Sequence, residues 1–225
     1  IASSLATALG AHAEAFTITE SVDFALMPAL KIGLLGICCA VISILFCQLL
    51  HTSGHILKKY FKNPYVRILV SSSLIIGLTI LLQTSAYSGA GVNLIEEAFH
   101  GESPKMAFLW KMLFTAITLG AGFKGGEIVP SFTIGATFGC LFGSLLGLPP
   151  SLCAAVAMVS VFCGVTNCPI SSLLIGFELF GFDSMKYLLI GVAISYMLSG
   201  YTGLYSEQTI MFSKFKSKTI NMKTH

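Results

Sequence analysis

The sequence predicts an all-α integral membrane protein built from tilted, broken and re-entrant helices, and three observations support this. Hydrophobic residues make up 55% of the 225 residues and charged residues only 10%, whereas soluble domains average about 25% charged residues. The mean hydropathy is +0.84. Several apolar segments are interrupted by glycine, proline or asparagine and are too short to cross a bilayer alone. A large soluble domain does not fit, because its surface would need more charge.

Two segments are long enough to span about 30 Å of hydrocarbon, residues 24–50 and residues 64–86. The first contains a single charge, Lys31, close to its start. We expect this lysine to have a structural role, with its ammonium reaching the membrane interface, rather than a role in transport.

Positive charge is concentrated in two places, although the net charge is only +3. Residues 51–67 and the tail 214–225 carry these clusters: Lys58, Lys59, Lys62 and Arg67 in the first, and Lys214, Lys216, Lys218 and Lys223 in the second. Positive loops favour the cytoplasmic side of a membrane, so both are predicted to be cytoplasmic. Membrane lipid is the expected surrounding. A nucleic-acid partner is not expected, because no aromatic residues are interleaved with the basic ones.

Neither a metal site nor a cofactor is expected. The seven cysteines all lie in apolar runs and are interpreted as small buried hydrophobic residues. The five histidines are scattered, and no pair of potential ligands has the spacing typical of a metal site.

Residues 87–106 are polar, contain several glycines and hold too little apolar sequence to span, so a re-entrant or interfacial segment is predicted with a short helix at 93–99. The carboxylates of Glu96, Glu97 and Glu102 are expected to face water. Acid–base chemistry is the other interpretation, but no nucleophile or metal ligand lies nearby in the sequence.

From residue 106 onward the apolar segments are short and broken. They are residues 106–119, 128–148, 152–165, 170–180 and 187–198. Non-helical backbone at membrane depth is tolerated only where it is buried in protein or lines a polar cavity. This pattern is typical of a transporter or channel whose site is built from helix ends. Asp183 is expected to cap the next helix, and Glu178 is the one carboxylate that could serve a coupled carrier.

A helix is predicted to start within the stretch GAGFKGGEIVP at residues 120–130. Pro130 suits the first turn of a helix, and the glycines before it allow close approach to a partner. The free N–H groups of a helix N-terminus and its partial positive charge are suited to an anion.

Three motifs in the chain resemble the C-terminal half of the CLC chloride channels and chloride/proton exchangers. Residues 126–130, Gly-Glu-Ile-Val-Pro, look like the family's G-x-F-x-P signature, residues 88–95 resemble its S-G-x-G-x-x-x-I turn, and residues 203–206 resemble the segment with its pore tyrosine. The resemblance implies an anion site formed by the backbone of Gly126, Glu127, Ile128 and Val129 and by the hydroxyl of Tyr205. On sequence alone, a single tyrosine near a positive tail is more often an interfacial anchor.

The chain departs from the family pattern at two positions of the first motif. Ile128 stands where phenylalanine is usual, which should change the packing but not the backbone N–H groups. Glu127 occupies the variable position of the motif. Its side chain is expected to point away from the pore, because a carboxylate that faced the pore would repel an anion. The motifs of the family's other half, including its gating glutamate, do not occur in these 225 residues. The resemblance therefore implies that 1–225 is one half of an inverted-repeat fold and does not conduct alone.

The resemblance implies transmembrane transport of chloride or a similar anion, either as a voltage-gated-type chloride channel or as a chloride/proton antiporter. It also implies a plasma-membrane homodimer formed through residues 1–18 and 169–199, which are rich in small and apolar residues. The alternative is a cation- or solute-coupled carrier that uses Glu178. An enzyme is not expected, because neither H-E-x-x-H nor G-x-S-x-G occurs. The sequence leaves the channel, the exchanger and the identity of the anion open, although Tyr205 makes a fluoride specialist less expected.

Overall fold

A computed structural model describes residues 5, 7–10, 16–19 and 22–224. Its helices are α1 (Leu26–Tyr60), α2 (Pro64–Leu82), α3 (Val92–His100), α4 (Ala107–Ala121), α5 (Ile128–Leu146), α6 (Pro150–Thr166), α7 (Pro169–Phe180) and α8 (Met185–Leu198). Two strands follow, β1 (Thr209–Phe212) and β2 (Thr219–Lys223). Three of the helices, α1, α2 and α5, are long and apolar enough to cross a membrane. The all-α membrane fold with short, broken helices is confirmed.

The centre of the fold is α6, in which every residue after the initial proline is buried. A helix that is apolar all round belongs inside a larger bundle. It packs against α5 along Gly135, Gly139 and Gly143, which recur every four residues on one face of α5. A methyl group on Gly139 would lie 2.2 Å from the carbonyl oxygen of Cys153, so the two backbones are in direct contact. Small residues at this spacing allow such close approach between membrane helices.

The first helix is longer than the sequence predicts and runs ten residues past Leu50, to Tyr60. Contacts with α4 hold this extension, since Ser53 donates a hydrogen bond to Ala116 O at 2.8 Å. Added side-chain bulk at Gly120 would lie 3.0 Å from the backbone nitrogen of Gly54. The basic segment 51–67 is therefore not a connecting loop, as predicted, but mostly the end of α1 and the start of α2.

Lys31 and Arg67 both bind the C-terminal end of a helix. Lys31 Nζ donates to Leu146 O at 2.6 Å, at the end of α5. Arg67 Nε donates to Ala121 O at 2.8 Å, at the end of α4. Cations are favoured at this end of a helix dipole. Lys31 therefore makes a structural contact with a helix end, in line with the structural role expected for it, and its position at the membrane interface stays a prediction.

The segment after α8 is folded and is not a simple tail. Strands β1 and β2 pair antiparallel, with Thr209 opposite Lys223 and Ile210 opposite Met222. We call residues 209–223 the C-terminal hairpin. The prediction that Asp183 caps α8 is wrong, because the capping position is Ser184 and no side chain makes a capping hydrogen bond there.

Candidate anion-binding site

The helix start predicted around Pro130 is confirmed: α5 begins at Ile128, directly after a glycine-containing loop. The first hydrogen bond of the helix is donated by Ser131 N to Glu127 O at 3.2 Å. The N–H groups of Ile128 and Val129 precede this bond and have no acceptor within the helix, and Pro130 has no N–H. Ile128 and Val129 are 38% and 39% exposed. Two adjacent backbone donors without an acceptor in the helix therefore lie at the positive end of the α5 dipole, in residues that are partly exposed.

Tyr205 lies in an irregular segment between α8 and β1, and its side chain is 43% exposed. The preceding residue is fixed to the end of α6, because Leu204 N donates to Val165 O at 2.9 Å. The end of α6 is adjacent to α7, whose capping position is Cys168. Tyr205 therefore stands beside the α6–α7 junction with its side chain partly accessible.

Glu127 and Tyr205 interact electrostatically. Burial raises the pKa of the Tyr205 hydroxyl, and the Glu127 carboxylate and Cys168 raise it further. A negative charge near a phenol disfavours the phenolate, so Tyr205 remains a hydrogen-bond donor to higher pH. The carboxylate does not cap α5. The Glu127 carboxylate is thus near enough to influence the Tyr205 hydroxyl, and the expectation that it points away from the pore stays a prediction.

The second motif, at residues 88–95, forms a tight turn followed by α3. Gly89 and Gly91 adopt positive φ angles of 70° and 85°, a conformation that glycine adopts readily. The turn is joined to α5 because Thr133 Oγ1 donates to Ala90 O at 3.1 Å. Two motifs that are about forty residues apart in the sequence therefore meet in space at the first turns of α5.

Lys111 is a residue that the sequence-based prediction missed. It lies in the second turn of α4, is completely buried and donates from Nζ to Gly89 O at 2.7 Å and to Tyr87 O at 3.2 Å. Within the described part of the chain it forms no ion pair with a carboxylate. Its one sequence signal is that it is a lone cation in an apolar segment too short to span, and such residues are functional candidates by default.

A cavity of about 610 Å³ opens between α2, α4 and the start of α5. Its walls include residues of the 87–90 turn, residues of the loop before α5, and Thr115 and Thr118 of α4. The wall on the α5 side is formed by Gly125, Gly126 and Val129. The exposed Lys124 also lines the cavity and places a positively charged residue there. The cavity therefore borders the accessible helix start on the side of the 87–90 turn.

The other carboxylates that the sequence singled out lie away from this region. Glu96 and Glu102 are exposed and Glu97 is half-buried, as expected for a face in contact with water. Glu178 is exposed on α7 and does not line the cavity. Within the described part of the chain, no three histidine, cysteine or acidic residues come together as a metal site would require. The seven cysteines are free thiols, five of them buried and two half-buried.

Comparison with known proteins identifies the family. The model for "Voltage gated chloride channel" proteins matches residues 1–200. The chain belongs to this chloride channel family. It is 32% identical over 205 residues to a "Chloride/fluoride channel protein" of Pseudomonas syringae pv. tomato, covering 88% of this chain and 45% of that protein. It is 25% identical over 210 residues to the "H(+)/Cl(-) exchange transporter ClcA" of Vibrio vulnificus, covering 83% of this chain and 44% of that protein.

A solved structure shows that the fold is that of the CLC family as well. The crystal structure of a CLC-type fluoride/proton antiporter matches with a TM-score of 0.85 and 32% identity, over 91% of this chain and 52% of that one. The chain therefore spans about half the length of the CLC proteins it matches. Its membership places it among integral membrane proteins.

Proposed function

We propose that this CLC chain forms one side of a transmembrane pathway for chloride, fluoride or a similar small anion. The observation that carries the proposal is the accessible start of α5, where the N–H groups of Ile128 and Val129 lack acceptors within the helix. Gly126 and Glu127 supply the backbone before this turn, and the proposal adds the hydroxyl of Tyr205, whose pKa the Glu127 carboxylate helps to raise. Backbone dipoles and a hydroxyl bind an anion without holding it so strongly that it cannot leave.

The names of the similar proteins support the choice of ligand. They include chloride/fluoride, fluoride/proton and H(+)/Cl(-) proteins. Fluoride therefore stands beside chloride as a candidate, although the sequence made a fluoride specialist less expected. The choice between a channel and a proton-coupled exchanger depends on whether protons move with the anion, which a transport measurement decides.

A cation- or solute-coupled carrier that uses Glu178 is not favoured. Such a carrier needs a carboxylate that faces a cavity within the membrane. Glu178 is exposed on α7 instead, on the same helix face as the exposed Ile170 and Leu174.

The proposal includes the setting of the protein. We propose a transporter and not an enzyme, with the anion as its ligand and with no cofactor, metal or nucleic-acid partner. It would be a multi-pass protein of the plasma membrane, surrounded by lipid, with segment 51–67 and residues 214–225 on the cytoplasmic side, since Lys58 and Lys59 end α1 there. A homodimer would form through residues 169–199 and 1–18. Most of 1–18 lies outside the described residues.

The proposed function is tested by reconstituting the full-length protein in liposomes. Efflux of chloride and of fluoride is recorded with ion-selective electrodes, while external pH reports coupled proton movement. Tyr205→Phe removes one hydrogen bond to a charged ligand, worth roughly 1.5–3 kcal/mol, so anion affinity should fall by about tenfold to a hundredfold. Tyr60→Phe is the matched control, because Tyr60 is exposed at the end of α1. Equal anion affinity in wild type, Tyr205→Phe and Tyr60→Phe would show that Tyr205 is not part of the site. The absence of anion flux in the wild type would refute the proposed function.

A further inference from the structure

The main chain of Tyr205 is held by residues on its C-terminal side. Its carbonyl oxygen accepts hydrogen bonds from Gln208 N at 2.9 Å and from Thr224 Oγ1. Thr224 follows the last strand of the C-terminal hairpin and is only 4% exposed. Its backbone nitrogen also donates to Gln208 O at 3.0 Å. The hairpin thus ends directly on the residue that we place at the anion site.

Lys214 attaches the hairpin to the helical bundle. Its Nζ donates to Asn167 Oδ1 at 2.6 Å and to Tyr196 O at 2.7 Å, and it lies 3.3 Å from Ser199 Oγ. The same ammonium lies 4.1 Å from the centroid of the Tyr196 ring, within the range of a cation–π contact. One side chain of the hairpin therefore binds residues at the C-terminal ends of both α6 and α8.

Asn167 relays this attachment to the segment that carries Tyr205. It caps α6 with a positive φ of 56°, and its Nδ2 donates to Thr202 O at 2.7 Å. The next residue, Gly203, is closely confined, since added bulk there would lie 3.1 Å from Asn167 Nδ2 and 3.3 Å from Thr224. The segment 202–205 is therefore held between the Lys214–Asn167 contact and the end of the hairpin.

We propose that the C-terminal hairpin, anchored by Lys214, fixes the position of Tyr205 and thereby sets the anion affinity of the protein. The segment 199–208 is neither helix nor strand, so regular backbone hydrogen bonding does not fix it. The hairpin supplies the missing constraint from outside the helical bundle. Lys214 is thus a positioning residue, and the part of the inference that concerns affinity rests on the proposed function.

The first experiment observes Tyr205 itself, independently of transport. The full-length protein receives 3-fluorotyrosine at position 205, and its ¹⁹F NMR resonance is recorded in detergent micelles. Wild type and Lys216→Met should give one narrow line, and Lys214→Met should broaden or split it. Lys216 is the matched control because it lies in the same hairpin and is exposed. An unchanged line in Lys214→Met would overturn the proposal.

The second experiment asks whether the hairpin acts on the anion through Tyr205. Chloride and fluoride are titrated calorimetrically into wild type, Lys214→Met, Tyr205→Phe and the double variant. Lys214→Met should weaken binding by about threefold to tenfold, and it should have no further effect once the Tyr205 hydroxyl is removed. An equal effect of Lys214→Met in both backgrounds would refute the proposed route. If Tyr205→Phe alone leaves affinity unchanged while the ¹⁹F line still responds to Lys214→Met, the anion role of Tyr205 fails and the positioning stands.

Two further variants protect the test against general misfolding. Lys214→Arg keeps the charge and the donors and should restore the narrow ¹⁹F line and most of the anion affinity. Thr224→Val removes only the hydroxyl that binds Tyr205 O and leaves the Lys214 anchor intact. Thr224→Val should broaden the ¹⁹F line on its own. If the line stays narrow in each of the two single variants, Thr224→Val and Lys214→Met, the proposal is overturned.

Discussion

Lys111 Nζ and Gly89 O are joined by a 2.7 Å hydrogen bond that ties the second turn of α4 to the turn before α3. The lysine is buried, and two backbone carbonyls accept from it. A bond donated by a cation is roughly twice as strong as one between neutral groups. The turn of the second motif is thus held on one side by Lys111 and on the other by Thr133 of α5.

Replacing Lys111 should destabilise the protein. Lys111→Met keeps much of the side-chain volume but removes the donor to the carbonyls of Tyr87 and Gly89. Tyr87 is buried, so its unpaired carbonyl should cost about 1–3 kcal/mol, whereas Gly89 is exposed and its carbonyl can bind water. Thermal unfolding in detergent should therefore show a clear decrease in Tm. Lys105→Met is the control, since Lys105 is exposed two residues before α4 and its loss should change Tm little. Equal Tm values for the two variants would contradict the assigned contact.

The glycines before α5 should differ in their tolerance of alanine. Gly126 has an ordinary φ, and a methyl group there meets nothing within 4 Å, so Gly126→Ala should keep stability and anion affinity. Gly122 has a φ of 100°, and a methyl group would lie 3.2 Å from Arg67, so Gly122→Ala should cost about 1–3 kcal/mol. The unfolding temperature and the anion affinity of both variants test this difference. A greater loss in Gly126→Ala than in Gly122→Ala would refute the prediction.

The exposed face of α7 is the surface on which the proposed homodimer can be tested. Ile170 and Leu174 are exposed and lie one helical turn apart, while Ser172 on the same helix is buried. Cysteine at position 170 or 174 should form a disulfide-linked dimer on mild oxidation in membranes. Cysteine at position 172 should remain monomeric, as should the protein with its native cysteines. Labelling of positions 170 and 174 by lipid-soluble reagents without any dimer would show that the interface lies elsewhere.

Docking of the C-terminal hairpin should strengthen as the pH rises. Burial lowers the pKa of the Lys214 ammonium to about 8 from an ordinary value of 10.5, with the thiol of Cys163 acting in the opposite direction. Between these values the undocked hairpin binds more protons than the docked one, so docking becomes more favourable with increasing pH. Below about pH 8 Lys214 is protonated in both states, so its contribution to the free energy of docking does not change with pH.

Limited proteolysis within residues 213–218 measures this docking. Cleavage in the wild type should slow between pH 8 and pH 10, after correction for protease activity on an unfolded substrate. Lys214→Met should lack the dependence, and Lys216→Met should keep it. Cleavage that accelerates over this range would mean that the charge-assisted contacts of Lys214 outweigh the cost of its burial.

The sequence predicted those parts of the fold that depend on local chemistry. The starts of α5 and α7 follow from Pro130 and Pro169, and the turn at residues 88–91 follows from its glycines. The extension of α1 could not be predicted, because it depends on Ser53 and Gly54 packing against α4, more than sixty residues away. Long-range contacts of this kind leave no local signal in the sequence.

The candidate site was only partly predicted, because some of its residues also depend on long-range contacts. The accessible N–H groups of α5 are a local property of a helix start, and the sequence indicated them directly. Lys111 was missed because the carbonyls that hold it lie 22 and 24 residues earlier in the chain. The hairpin was interpreted as a tail because its many lysines obscure a weak alternation, and Lys214 is fixed by residues of α6 and α8.

The glycine contact between α5 and α6 has a consequence for how an ion would be recognised. Since Gly135, Gly139 and Gly143 place the two backbones against each other, α5 cannot tilt or slide without displacing the fully buried α6. We therefore expect this packing to hold the N–H groups at its start in place, so that an arriving ion need not order them. A receptor that is already in its bound geometry loses little entropy on association, so even a weak set of neutral donors can hold an ion and release it quickly.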